Sequence, residues 1–173
     1  LVLGVTPKMR FDDLLNCNIS PTIFQYEKAE RLSKRARILG KKGKLHIAVD
    51  TGMSRIGLKP DEAAADEVKR ISRLPGIEIQ GIFTHFAKAD ETDKESAGRQ
   101  LALFNHFLEL LKERGVEIPV KHCANSAGII DMDDSHFDLV RAGIILCGVY
   151  PSDEVEKERI TLTPALEWKR EVV

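Results

Sequence analysis

The stretch Val49-Asp50-Thr51-Gly52-Met53-Ser54-Arg55-Ile56-Gly57-Leu58 decides the fold. An apolar run from Leu45 to Val49 stops abruptly in a polar loop that holds one arginine, Arg55, between Gly52 and Gly57. Parallel α/β proteins present charged side chains in this way, at the carboxyl ends of strands, where they place their ligands. Two nearby glycines allow close backbone approach. The loop lacks the Gly-Lys-Ser/Thr ending of a Walker phosphate loop. The same arrangement recurs in GIFTHFAKAD (Gly81 to Asp90), KHCANSAG (Lys121 to Gly128) and FDLVRAGI (Phe137 to Ile144). These segments carry His85, Asn125 with Ser126, and Arg141. Successive strand ends bearing polar groups predict one site assembled from several loops.

Outward from this stretch, apolar runs alternate with helical patterns. Strands are expected at Leu1 to Gly4, Thr22 to Phe24, Leu45 to Asp50, Glu78 to His85, Pro119 to Cys123 and Asp138 to Arg141. Helices are expected at Pro7 to Leu15, Tyr26 to Leu39, Pro60 to Arg73, Glu95 to Arg114 and Ser126 to Ile130. Pro60 followed by Asp61 and Glu62 suits a helix start. Gly40 and Gly115 follow helix ends, as C-terminal glycines do. Leu101, Phe104, Leu108 and Leu111 lie at three-to-four spacing, one face of an amphipathic helix. Alternating strands and helices with short loops imply parallel strands and right-handed crossovers. Ser152 to Arg159 is a charged connector, and Leu162 to Val173 is extended in pattern. The domain boundary is placed near Pro151 to Arg159, so residues 1–151 form the α/β unit and residues 152–173 a connector with the first strand of another domain.

The 173 residues suffice for one sizeable domain. A net charge of −1 gives no support for nucleic acid or an anionic membrane as partner. No apolar run approaches the length that spans a bilayer, about 18 residues or more, and no signal peptide is visible. Cys17, Cys123 and Cys147 are odd in number and widely spaced, which fits reduced thiols in a cytosol better than a disulfide framework. The start at Leu1, inside an apolar run, reads as a cut within a longer protein.

Each candidate residue has a plain alternative. Arg55 suits a carboxylate, phosphate or phenolate oxygen, or is a surface arginine. His85 is an acid–base group or a hydrogen-bonded residue at the core edge. Ser126 caps the short helix that follows it, and the same geometry suits phosphate. Gly143 and Ile144 would add backbone donors, since phosphate sites in eight-stranded barrels often lie after strands seven and eight. Arg141 is flanked by apolar residues, so its guanidinium needs acceptors: a cofactor ring nitrogen, a polar neighbour or a structural ion pair. His122 with Cys123 is not a zinc site, for want of a second ligand pair. Asp131, Asp133 and Asp134 read as a solvated carboxylate cluster.

The four motifs, with LVLGVTP at the start and PALEWK near the end, resemble the alanine racemases, fold-type III pyridoxal-phosphate enzymes. That resemblance implies a partial (β/α)8 barrel comprising strands three to eight and lacking the first two. It implies an open sheet, unpaired at the strands beginning at Leu1 and Asp138 and prone to self-association. It implies a cytoplasmic homodimer with pyridoxal 5′-phosphate as cofactor, racemising L-alanine to D-alanine for peptidoglycan. Arg55 would meet the phenolic oxygen of the cofactor and the substrate carboxylate. His85 would join the network behind it. Ser126, Gly143 and Ile144 would hold the phosphate, with Asn125 beside it. Arg141 would donate to the pyridine nitrogen and, because arginine does not readily give up a proton, keep that nitrogen unprotonated and the ring a weaker electron sink. The family's cofactor-anchoring lysine and catalytic tyrosine have no counterpart in these residues. The lysine that many members carry just before VDTGM is Ala48 here, which predicts a small anion or ordered water beside Arg55. The tyrosine usual in the strand-eight loop is Cys147. A serine or broad-specificity racemase, and a non-catalytic cofactor-binding barrel, are the rival readings; the tail from Leu162 speaks against the second.

Overall fold

Val2–Val5 (β1), Pro21–Ile23 (β2), Gly43–Ala48 (β3), Ile77–Phe83 (β4) and Val120–His122 (β5) form one sheet in the order β1-β2-β3-β4-β5. Each neighbour pair is parallel, and the longest ladder runs from Gly43↔Ile77 to Ala48↔Phe83. The computed structural model describes residues 1–165 and residue 169. The connections are helical: a 3-10 turn at Lys8–Arg10 running into Phe11–Asn16 (α1), then Tyr26–Ile38 (α2), Glu62–Ser72 (α3) and Glu95–Glu113 (α4). A short helix, Ser126–Asp131 (α5), follows β5. Among the described residues β1 and β5 are not joined, so the sheet is open, as expected.

Alternation along β3 divides the molecule. Leu45, Ile47 and Val49 enter a core shared with Leu32 and Ala36 of α2, Val68 and Ile71 of α3, and Phe104, Phe107 and Leu111 of α4. Each such aliphatic or aromatic side chain stabilises the fold by about 1.5–3 kcal/mol on burial. His46 and Ala48 take the opposite face, with Phe83 of β4 and His122 of β5. A second cluster, with Phe86, Ala97, Cys123, Ala127, Ile130 and Val155, lies under the loops that follow β4 and β5.

Local chemistry fixes the ends. Gly40 and Gly115 adopt φ of 63° and 68°, left-handed C-terminal positions that glycine occupies without strain. α3 starts two residues later than expected, at Glu62: Asp61 is the N-cap and accepts from the Ala64 amide at 2.9 Å. α5 is capped by Asn125, whose Oδ1 accepts from the Gly128 amide at 3.0 Å, not by Ser126. The longer Asn side chain reaches back over the first turn, and Ser126 is thereby left free to bond elsewhere.

The sixth strand expected at Asp138 to Arg141 does not form. The segment runs beside β5, and the amides of Asp138 and Arg141 donate to Lys121 O and Ala124 O at 3.1 and 3.0 Å. The Lys121 amide, however, is taken by the Asp138 carboxylate at 2.8 Å instead of a backbone carbonyl. With a side chain in the ladder and, among the described residues, no strand on its outer side, the segment lacks the pairing that defines a strand. Ser152–Arg159 folds back onto the α/β unit and buries Val155. Residues 161–165 form no strand, and the rest of the expected C-terminal strand, residues 166–168 and 170–173, lies outside the described residues.

Candidate functional site

Every strand points its carboxyl end the same way, so the four motif loops converge. After β3, Asp50 Oδ1 accepts from the amides of Gly52 and Ser54, at 3.0 and 2.9 Å, and curls the loop that carries Arg55. Gly57 closes it at φ 129°, where a Cβ would lie 2.5 Å from the Asp50 nitrogen. After β4, Thr84 bonds Thr51 hydroxyl to hydroxyl at 2.7 Å. Gln100, buried on α4, holds both loops: its amide nitrogen donates to Thr51 Oγ1 and His85 O, and its oxygen accepts from the Ala87 amide.

Two adjoining hollows result. One of about 420 Å³ is lined by His85, Asn125, Ser126, Arg141, Gly143 and Ile144, among others. A smaller one, about 60 Å³, is lined by Arg55, Met53 and Phe83 and shares His85 and Leu3 with the first. All seven residues singled out in the sequence therefore border one composite depression. A roomier hollow of about 510 Å³ lies at the amino end of β5, against Leu108, Lys112 and Pro119, and contains none of them.

Arg141 is the hub. Its Nη1 donates to His122 Nδ1 at 2.7 Å, and its Nη2 donates to Thr84 O at 2.8 Å and Cys123 O at 2.9 Å, with His85 Nδ1 at 3.3 Å. Its Nε is buried and has no partner among the described residues. No carboxylate among the described residues pairs with it; its partners there are neutral acceptors. Burial lowers the guanidinium to about 10, still charged at neutral pH. Burial, aided by Arg141, holds His85 down to about 4 and His122 down to about 3, so both imidazoles are neutral. Burial pushes the Cys123 thiol up to about 12, which makes it inert packing.

Ser126 Oγ accepts from the Gly143 amide at 3.0 Å and ties the β5 loop to the segment after Arg141. The Gly143 amide is thus engaged within the chain instead of free. Arg55 is exposed and has no hydrogen bond or salt bridge to another described residue. Solvent satisfies an exposed guanidinium, so burial does not demand the anion expected between Ala48 and Arg55. Among the described residues no group of three or more His, Cys, Asp or Glu is placed to hold a metal, and no helix is long and apolar enough to cross a membrane.

Sequence reasoning missed His46, His122 and Gln100. His122 was weighed only as a metal ligand. A signal was present: a histidine inside an otherwise apolar strand run must find a partner when buried, and two such strands carry one each.

A parallel α/β sheet that gathers two arginines, a histidine and a Ser126–Gly143 contact at its strand ends has the layout that barrel-type proteins use for ligands. A family model described as the N-terminal domain of alanine racemase matches residues 1–151, and the chain belongs to that family. It is 48% identical over 173 residues to an alanine racemase of Clostridium novyi, and 45% identical over 169 residues to one of Methanococcus maripaludis. It covers 100% and 98% of itself in these matches, but only 45% of either relative. Among solved structures, alanine racemase from Clostridium difficile 630 superposes with a TM-score of 0.93 at 42% identity, over 94% of this chain and 45% of that one. The enzyme from Bacillus anthracis with bound L-Ala-P gives 0.86 at 32% identity, over 95% and 42%. The chain spans less than half the length of the relatives it matches.

Proposed function

We propose that this chain supplies the cofactor-holding part of a pyridoxal-phosphate-dependent alanine racemase, cytoplasmic and homodimeric, which makes D-alanine for the cell wall. The observation that carries the reading is Arg141: a half-buried charged side chain lining the larger hollow, with its Nη groups committed and one buried donor, Nε, left without a partner among the described residues. That donor suits a ring nitrogen acceptor. The residues around it fit the rest of the group: Ser126, whose hydroxyl hydrogen stays free while its oxygen accepts from the Gly143 amide, and Ile144, with Gly143 and Asn125 beside them, would hold its phosphate, and Arg55 its phenolic oxygen. When bound, pyridoxal phosphate withdraws electrons from an attached amino acid and acidifies its Cα proton.

The chain's own residues orient and tune. Arg141 donates and does not give up its proton, so the acceptor it meets stays unprotonated. His85, neutral beside Arg141, holds a lone pair toward the guanidinium. Arg55, exposed at the smaller hollow, is placed to receive the substrate carboxylate. The lysine and tyrosine that would move the proton have no counterpart in these residues, and we assign β1 to β5 to barrel strands three to seven and the segment Asp138 to Arg141 to the place of strand eight, with residues 152–173 leading to the β domain. The 173-residue chain is therefore proposed to neither racemise alanine nor bind the cofactor covalently.

The test uses the full-length gene product and the chain in parallel. The full-length enzyme should exchange the Cα proton of both alanine enantiomers in deuterated water, with Arg55→Gln lowering that rate by at least about 100-fold, the loss of roughly 3 kcal/mol of charge-assisted binding. Exchange of serine but not alanine would move the substrate, and no exchange of any amino acid would overturn the reading. For the chain, borohydride after addition of pyridoxal phosphate should fix no unique lysine; a single labelled lysine with a matching absorbance band would refute the second part.

A further inference from the structure

Behind Arg141 lies a second layer of contacts. His122, fully buried, stacks on Phe83 at 4.9 Å between ring centroids. Its Nε2 lies 2.9 Å from Nδ1 of His46, which is buried on β3. β4 separates the two histidine strands. His46 is paired in register with Gly81, and Gly81 with Val120. A Cβ on Gly81 would sit 2.3 Å from His46 Nδ1 and 2.4 Å from its Cε1. The imidazole thus crosses the middle strand through the space that glycine leaves, and meets His122 on the far side.

Donor and acceptor roles along this line follow from valence. Arginine has five donors and no acceptor, so His122 Nδ1, 2.7 Å from Arg141 Nη1, must offer its lone pair. A neutral His122 then carries its proton on Nε2 and donates to His46 Nδ1. His46 in turn carries its proton on its own Nε2. A proton added to His122 Nδ1 would set two donors against each other.

We propose that His46, given passage by Gly81, is a positioning residue that acts through His122 on Arg141: by accepting from His122 it holds that ring in the orientation that engages Nη1, and so keeps Nε as the uncommitted donor. That the Nε acceptor is the cofactor's ring nitrogen rests on the function proposed above; the layer itself does not.

Long-range proton–nitrogen correlation spectra of the 173-residue chain labelled with 15N in its histidine rings read the tautomers directly. His46 and His122 should both carry their proton on Nε2 and stay neutral across roughly pH 5 to 8, the range in which an unhindered histidine titrates. A proton on His122 Nδ1, or titration of either ring within that range, would overturn the proposal. Two variants separate positioning from packing. His46→Gln keeps an oxygen that can accept, and His46→Leu fills similar space with none. In His46→Leu the Arg141 Nε–H should exchange with solvent about tenfold faster, as expected for a lost hydrogen bond to a charged network, and His46→Gln should restore slow exchange. Equal exchange in the two variants would show packing alone. Gly81→Ala should behave as His46→Leu; where it does not fold, the other pair decides. Pyridoxal phosphate titrated by absorbance into the same samples keeps the two readings apart. Failure to bind it, with the tautomers as stated, would count against the proposed function and not against the positioning layer.

Discussion

The three histidines around Arg141 make stability depend on pH through single residues. In the unfolded chain each titrates near 6.5; in the fold burial lowers His46 and His85 to about 4 and His122 to about 3. Between those values the unfolded state binds more protons, so stability is complete above about 6.5 and is lost as pH falls through 4. Urea unfolding at a series of pH values should show this decline. Replacing His46 by Gln removes one titrating group and should lessen the slope by up to about 1.4 kcal/mol per pH unit; an unchanged slope would place the proton uptake elsewhere. Gly57 carries a steric constraint of similar weight. Its φ of 129° and its closeness to the Asp50 nitrogen leave no room for a side chain. Gly57→Ala should cost about 3 kcal/mol, measured by thermal unfolding. A loss below about 0.5 kcal/mol, the usual range of surface changes, would mean that the Arg55 loop is far more pliable than this geometry allows.

At the scale of elements, the loop after β4, helix α5 and the segment 152–160 are held as one by a few polar contacts. Asp131, its side chain 1% exposed, accepts from Lys94 Nζ at 2.6 Å and from the Glu156 amide at 3.1 Å. Glu154 accepts from the Thr92 amide, and Ser152 Oγ donates to Asp90 O. The carboxylate cluster expected to be solvated is thus divided: Asp131 is buried and paired, and Asp133 pairs with Arg159 on the surface. Removing one partner of a buried pair is costly. Asp131→Ala should therefore cost about 3 kcal/mol and free residues 152–160 for cleavage, which limited proteolysis with mass spectrometry would locate. If the cleavage pattern matches the parent's, Val155 alone holds the segment.

For the whole molecule, the open sheet is the dominant physical fact. β1 is an edge strand, and Leu1, Leu3 and Val5 are 49%, 43% and 51% exposed. Leu139, Val140, Ile144 and Leu146 leave a further exposed apolar strip on the segment beside β5. Unpaired edges with apolar side chains recruit other chains. Sedimentation equilibrium of the 173-residue chain should show a mass that rises with concentration, and Val5→Lys, a charge on the edge, should shift it toward the monomer. A single monomeric species across a hundredfold range, on the order of a few kcal/mol of association free energy, would show that these edges are shielded.

Much of this was legible before any coordinates. The alternation of β3, the helix-terminal glycines and the polar strand ends each follow from one-dimensional rules, because a residue's period and its neighbours are local properties. The five strands of the sheet, and the helices, were placed within about two residues at most ends, the scatter such boundaries carry. That the seven candidate residues would border one depression was legible for the same reason: parallel strands deliver their carboxyl ends to one side whatever their exact register. Arg141's environment was not. Whether it met a carboxylate or neutral acceptors depended on which side chains the register of β3, β4 and β5 set behind it. Nothing local says that Gly81 lies between two histidines, or that Asn125 and not Ser126 reaches the open amide of α5. Nor could the motif FDLVRAGI reveal that a side chain would replace the backbone in its ladder. The sequence by itself determined the elements, their order and the chemistry at their ends. The tertiary structure decided the hydrogen-bond polarity behind that chemistry, because contacts across strands depend on register, and register is a property of the assembled sheet.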